Sequence, residues 1–124
     1  MKGSRRSVGA FAERTALRAY RRRGYKKVCT NFTVKGGEID LVVRNGEYLV
    51  FVEVKARKKG STVSALEAVT AEKQRRITRT AIRFMAECEP ALCSLQPRFD
   101  VVAVELSGIF NRVTDVIENA FDFR

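Results

Sequence analysis

The sequence predicts an α/β domain: a mixed sheet of about five strands, organised on a central antiparallel hairpin and flanked by helices. Three observations predict it. The stretch from Gly36 to Arg57, GGEIDLVVRNGEYLVFVEVKAR, holds two runs rich in β-branched residues separated by Asn45-Gly46. That dipeptide is the strongest short-range hairpin signal, because both central positions of a type I′ turn need positive φ. Both faces of the two runs are apolar, which puts the hairpin in the covered middle of a sheet. Finally, Phe99 to Leu106, FDVVAVEL, is a nearly continuous apolar run after a long helical pattern, and so a buried strand parallel to a neighbour.

In chain order, Met1–Arg6 reads as a short basic tail, and Ser7–Arg23 as a first helix stopped by Gly24. Glu13 shares a stripe with Ala16, Leu17 and Tyr20. It is either a salt-bridged glutamate at the edge of that stripe or a member of a site. Lys26–Lys35 alternates apolar and polar residues, as a half-exposed edge strand does. Gly36-Gly37 then turns the chain into the central hairpin.

After Arg57 comes a basic loop. Ser64 to Glu67 matches a capping box and Thr70 is an alternative N-cap for a second helix running to about Glu87. That helix turns Ile77, Ala81, Phe84 and Met85 inward and its arginines outward. Gln74 lies on the inward stripe, either as a satisfied core amide or as a group that reaches a metal-bound water or a phosphate. Glu89–Pro97 connects to the buried strand, in which Asp100 reads as a capping or salt-bridge residue. Gly108 turns the chain into a last strand, Arg112–Ile117, and a tail that packs Phe121 or Phe123 on the core.

A chain of 124 residues is long enough for one domain with a real core. Its net charge of +10 is the footprint of a protein that meets a polyanion. No apolar run approaches a bilayer span and nothing at the N-terminus resembles a signal peptide, so nucleic acid is the expected polyanion and no membrane partner is expected. The three cysteines are odd in number and lack metal-ligand spacing, which reads as reduced thiols in a cytoplasmic protein. The absence of histidine excludes histidine general-base chemistry and most zinc sites.

If Asn45 and Gly46 are the two loop residues, Asp40 faces Phe51 and Glu38 faces Glu53, and Asp40, Glu53 and Lys55 share one face. Carboxylates and a lysine in covered strands are costly unless something offsets their desolvation and repulsion. Two carboxylates on neighbouring strands are what magnesium usually takes from a protein. Lys55 would sit beside that ion, where it could orient an attacking water or stabilise transition-state charge. Among the many basic residues, Arg22, Arg23, Arg57, Lys58, Lys59, Lys73 and Arg76 are the candidates for phosphate contact, with solvated surface as the alternative reading of such runs.

These residues carry a resemblance. Asp40, a turn, and Glu53-Val54-Lys55 resemble the Asp…Glu-x-Lys signature of the PD-(D/E)xK nuclease superfamily. More closely, GGEIDLVV, FVEVKAR, AVTAEKQRR, RFDVVAV and ENAF, in that order, resemble the YraN-like family of small bacterial proteins related to Holliday-junction resolvases. The similarity runs from about Val8 to Phe121. Ile39 stands where the superfamily nominally has proline, and Ala12 where the family's first helix has a glycine before the glutamate.

The resemblance implies a restriction-endonuclease-like core and a metal-dependent endonuclease. Asp40 and Glu53 would hold Mg2+ or Mn2+ with the Val54 carbonyl, Lys55 would act on the water, and Glu13 would match the acidic residue of the first helix, with Gln74 in support. It also implies DNA ahead of RNA, branched DNA included, and pairing into a homodimer. The rival from another class is a nucleic-acid-binding module that keeps the fold and does not cut. A pure binder has no need of three inward charges beyond an internal salt bridge between Lys55 and one carboxylate. A small basic RNA-associated protein would instead bind with strong salt dependence and no need for divalent metal.

Overall fold

The computed structural model describes residues 2–61, 64–107 and 110–122, with side chains from Gly9 onward. The elements are α1 (Lys2–Arg22), β1 (Lys26–Val34), β2 (Gly37–Arg44), β3 (Tyr48–Lys58), α2 (Ala71–Glu87), α3 (Pro90–Cys93), β4 (Gln96–Leu106) and β5 (Asn111–Phe121). Five strands form one sheet in the order of the chain. All neighbours are antiparallel except β3 and β4, which run parallel because α2 carries the chain back across the sheet.

Helix α1 starts at Lys2 and takes in most of the stretch read as a tail, since no proline interrupts it. It ends where expected: Gly24 has φ +90, its N–H donates to Arg21 O, and Tyr25 N–H donates to Tyr20 O, the paired bonds of a Schellman cap. Both proposed caps before α2 are used. Ser64 Oγ accepts from Glu67 N–H at 3.1 Å to close an isolated turn, and Thr70 caps α2 itself through Lys73 N–H.

Two turns differ from expectation. In the hairpin, Arg44 pairs with Leu49 and Phe51 with Val42, so the two loop residues are Gly46 and Glu47. Asn45 closes the strands instead: its N–H donates to Tyr48 O, and its Oδ1 accepts from Glu47 N–H at 2.8 Å and Tyr48 N–H at 2.7 Å. Asparagine thus acts through its side chain as an Asx turn, not through positive φ. Before β2, Val34 pairs with Gly37, so the turn is Lys35-Gly36, with Gly36 alone at φ +87. Gly37 is needed for another reason. A Cβ there would collide with Thr80 Oγ1 of α2.

Helix α1 covers one face of the sheet and α2 the other. Ala12, Ala16, Leu17 and Tyr20 pack on Leu41, Val43, Val50, Val52, Val102 and Val104. On the α2 face, Ile77, Ala81 and Phe84 pack on Val42, Leu49, Phe51, Phe99 and Phe121. Phe51 and Phe84 meet edge to face at 5.7 Å, and Phe99 stacks on Phe121 at 4.8 Å. Phe121 therefore lies in β5, which is longer than the sequence pattern indicated. Gly108 and Phe123 lie outside the described residues.

One buried polar network fixes the α1 side. Arg98 reaches both oxygens of Asp100, at 2.9 and 2.8 Å, while Tyr20 O–H and Asn119 N–H also donate to that carboxylate. Burial, then the Asp100 charge, pushes the Tyr20 hydroxyl far above its ordinary value. The salt-bridge reading of Asp100 therefore holds.

Candidate functional site

Strands β2 and β3 pair only from Leu41 to Arg44 against Leu49 to Val52. Below that, β2 stays on β1 as far as Gly37, and β3 stays on β4 as far as Lys58. The middle of the sheet therefore opens into a fork. Continuing the hairpin register places Asp40 level with Glu53 at its mouth, not with Phe51 as the Asn45-Gly46 turn would require. A shift of two residues leaves every side chain on its expected face, so Asp40, Glu53 and Lys55 still point the same way. Ile39 departs from strict alternation and joins the α2-side core, at the point where β2 leaves β3.

Asp40 fills the fork. Its Oδ2 accepts the Val54 N–H at 2.8 Å, replacing the ladder bond that the parted strand no longer supplies. An extended residue sends its N–H and C=O toward the same neighbour, so the Val54 carbonyl faces the fork too. Glu53 Oε2 lies 3.2 Å from Lys55 Nζ, with both side chains mostly buried. Burial, then the charge of Glu53, pushes the Asp40 carboxyl up to about 8. The fork thus holds one carboxyl that resists ionising beside another that is salt-bridged.

The surrounding elements complete the site. Lys73, in the first turn of α2, brings its amine beside Lys55, and contact with Lys55 pushes it below the usual lysine range. From α1, Glu13 Oε1 accepts from Asn31 Nδ2 at 3.0 Å. Burial raises the Glu13 carboxyl, the Asn31 hydrogen bond opposes this, and Glu38 adds to it. Glu38, Asp40, Glu53, Lys73 and Arg76 line a cleft of about 500 Å³. Glu38 also lines a neighbouring cleft of about 570 Å³ with Glu13 and Asn31. On the other side, Gly36 and Arg76 lead into a groove of about 410 Å³ edged by Lys35, Arg79 and Arg83.

The expected residues divide accordingly. Asp40, Glu53, Val54 and Lys55 come together, with Glu13 nearby. Lys73 and Arg76 line the cleft itself. Gln74 donates from Nε2 to Val69 O at 3.0 Å, while its Oε1 is buried with no hydrogen-bond partner among the described residues. Arg57 is half-buried and donates to Ser64 O at 3.1 Å, which ties down the start of the basic loop. Lys58 and Lys59 lie exposed beyond the fork. Arg22 and Arg23 sit at the far end of α1, roughly 14 Å along the axis from Glu13. The sequence reading passed over Asn31 and Glu38 as site residues. Asn31 carried a signal, a poor strand former in mid-strand, and it adopts φ +52.

Among the described residues, no group of three or more cysteine, aspartate or glutamate side chains is gathered to hold a metal alone. The donor set in the fork is two carboxylates and one main-chain carbonyl, all hard oxygens on neighbouring strands. That set fits magnesium, which keeps several of its waters and takes few protein ligands. The raised Asp40 carboxyl marks a place where a cation would relieve like-charge repulsion.

The fold and the fork define a mixed α/β domain of restriction-endonuclease-like architecture. The chain belongs to the uncharacterised protein family UPF0102, the YraN-like family, whose profile matches residues 12–104. It is 41% identical over 98 residues to a UPF0102 protein of Acinetobacter baumannii (strain AYE), covering 79% of this chain and 73% of that protein. Over 117 residues it is 40% identical to one of Vibrio campbellii, covering 94% and 93% of the two chains. With one of Desulfosudis oleivorans, identity is 39% over 122 residues, covering 98% and 95%. Among the described residues, no helix is long and apolar enough to cross a membrane.

Proposed function

We propose that this protein is a metal-dependent endonuclease acting on DNA, with branched DNA among the candidate substrates. The observation that carries the reading is the fork. The sheet breaks its own pairing to leave Asp40 and Glu53 lining a cleft with Lys73 and Arg76, with Lys55 and the Val54 backbone beside the two carboxylates and Lys35, Arg79 and Arg83 edging the adjoining groove. Asp40, Glu53 and the Val54 carbonyl would hold Mg2+ or Mn2+. When bound there, the ion supplies a Lewis acid beside the scissile phosphate.

The chain's own groups do the rest. Lys55 Nζ, steered by Glu53, hydrogen-bonds the attacking water and holds it in line. Lys73 and Arg76 neutralise the phosphate oxygens across the cleft. The water oxygen bonds to phosphorus as the bond to O3′ breaks, the water gives a proton to solvent and O3′ takes one from solvent, leaving a 5′ phosphate and a 3′ hydroxyl. Glu13, held by Asn31, shapes the α1 side of the site. The row Lys35, Arg76, Arg79 and Arg83 gives the backbone a track along α2. Two copies pairing on a junction would cut two strands, and light scattering on and off DNA tests that stoichiometry.

A second reading has its own observation. The Glu53–Lys55 ion pair satisfies two of the three inward charges internally, as a non-cutting nucleic-acid-binding module would also arrange them. Asp40 separates the two readings: among the described residues no cationic side chain pairs with it, its raised carboxyl favours the neutral form, and a cation in the fork would favour the ionised form. The test is cleavage of duplex, single-stranded, flap and four-way-junction DNA in magnesium or manganese, with Glu53→Gln beside wild type. Metal-dependent cutting that the variant loses supports the nuclease. Binding without cutting by either protein moves the assignment to the binding module.

A further inference from the structure

At the end of α2, far along the helix from the fork, Cys88 and Cys93 bring their sulfurs to 2.6 Å. The two free thiols are in direct contact, so a disulfide bond of about 2.05 Å needs little movement of either side chain. The approach is built by the backbone. Cys88 closes α2, Glu89 leads into the single turn Pro90–Cys93, and Cys93 N–H donates back to Glu89 O at 3.1 Å, which folds Cys93 over Cys88. Both thiols point at one acceptor, Met85 O, at 3.6 Å from Cys88 Sγ and 3.0 Å from Cys93 Sγ. Cys93 is exposed and Cys88 half-buried against the core.

We propose that Cys88 and Cys93 form a dithiol modification site that closes to an intramolecular disulfide by exchange with low-molecular-weight disulfides such as oxidised glutathione. The Cys93 thiolate attacks one glutathione sulfur, the glutathione S–S bond breaks, one glutathione thiolate leaves, and a mixed disulfide stands on Cys93. Cys88 then gives its proton to solvent and attacks the Cys93 sulfur, expelling the second glutathione. Two protein thiols are oxidised and one glutathione disulfide is reduced to two thiols. The order follows from access: Cys93 is exposed and Cys88 half-buried, where burial and then contact with Cys93 push the Cys88 thiol up to about 11, so the exposed Cys93 reacts first. Once glutathione occupies Cys93, that sulfur no longer shares the Cys88 proton, and Cys88 is already beside it. The bond would tie the last turn of α2 to α3, and it stands apart from the nuclease reading.

The test is an equilibration of the full chain across oxidised-to-reduced glutathione ratios, acid quench, alkylation and intact mass. The expected oxidised form is monomeric, lighter than the reduced chain by two hydrogens and free of glutathione. It takes one alkyl group where the reduced chain takes three, with the Cys88–Cys93 link found in a proteolytic fragment. Cys88→Ser should instead keep glutathione on Cys93, and phenylarsine oxide should shield two of the three wild-type thiols. A glutathione adduct that accumulates on wild type, a dimer linked through Cys93, or three alkylatable thiols at the most oxidising ratio each overturns the proposal.

Discussion

Replacing Asp40 with asparagine should make the protein more stable at alkaline pH, although it removes a residue from the centre of the site. The amide keeps an oxygen to accept the Val54 N–H, and its N–H2 can donate to Glu53. What it loses is the charge. Below an unfolded-state value of about 3.9 the Asp40 carboxyl is protonated in both states and contributes no difference. Between that value and about 8 the unfolded chain ionises while the folded chain holds its proton, so stability falls as pH rises. Each unit is worth about 1.4 kcal/mol, which sets an upper limit near 5 kcal/mol by pH 8.

Solvent at the mouth of the fork screens part of that penalty, so roughly 2–3 kcal/mol is the expected gain for Asp40→Asn at pH 8, or roughly 10 °C in Tm for a chain of this size. At pH 4 the two proteins should melt together. Thermal unfolding at both pH values, with and without magnesium, measures this. Magnesium at pH 8 should raise the melting temperature of wild type and leave the variant unmoved, since stability was given up for the site. An asparagine variant that melts below wild type at pH 8, or gains equally at pH 4, would refute the reasoning.

Other outcomes follow from single contacts. Asp100→Ala leaves the buried Arg98 guanidinium only the half-exposed Glu118 carboxylate and the Tyr25 hydroxyl and should cost about 3 kcal/mol in urea unfolding, well beyond an ordinary surface substitution. Gly37→Ala drives a methyl into Thr80 Oγ1 and should cost about 1–3 kcal/mol, with Gly37→Ala plus Thr80→Ala recovering much of it. Lys35→Ala with Arg79→Ala should weaken DNA binding and flatten its salt dependence by about two phosphate contacts. Arg22→Ala with Arg23→Ala should change binding little, because those residues do not reach the cleft; titrations at several salt concentrations distinguish the pairs.

Much of this arrangement is legible in the chain, and the exceptions have physical causes. Alternation alone puts Asp40, Glu53 and Lys55 on one face, and that survives a wrong turn because a two-residue shift preserves side-chain parity. The turn itself was misread because asparagine can close a hairpin through its side chain as well as through positive φ. The level placement of Asp40 and Glu53 depends on that detail. The fork leaves no local mark, since strand parting is decided by what β1 and β4 hold on either side. Lys73 reads from the sequence as one candidate for phosphate contact among many, and only the crossing of α2 sets it beside Lys55. The buried pairing of Arg98 with Asp100 is half legible: Asp100 reads as a capping or salt-bridge residue, but nothing local marks Arg98, two positions earlier, as its partner.

The most direct test of the central claim, that the fork is a cation site, is a manganese titration of the full chain followed by the electron paramagnetic resonance signal of the free ion. Wild type should take up one ion per chain, Lys55→Met should keep it, and Asp40→Asn and Glu53→Gln should each lose it. An equal free-ion signal with wild type and both carboxylate variants would contradict the account, and the fork would then be a structural opening closed by the Glu53–Lys55 pair.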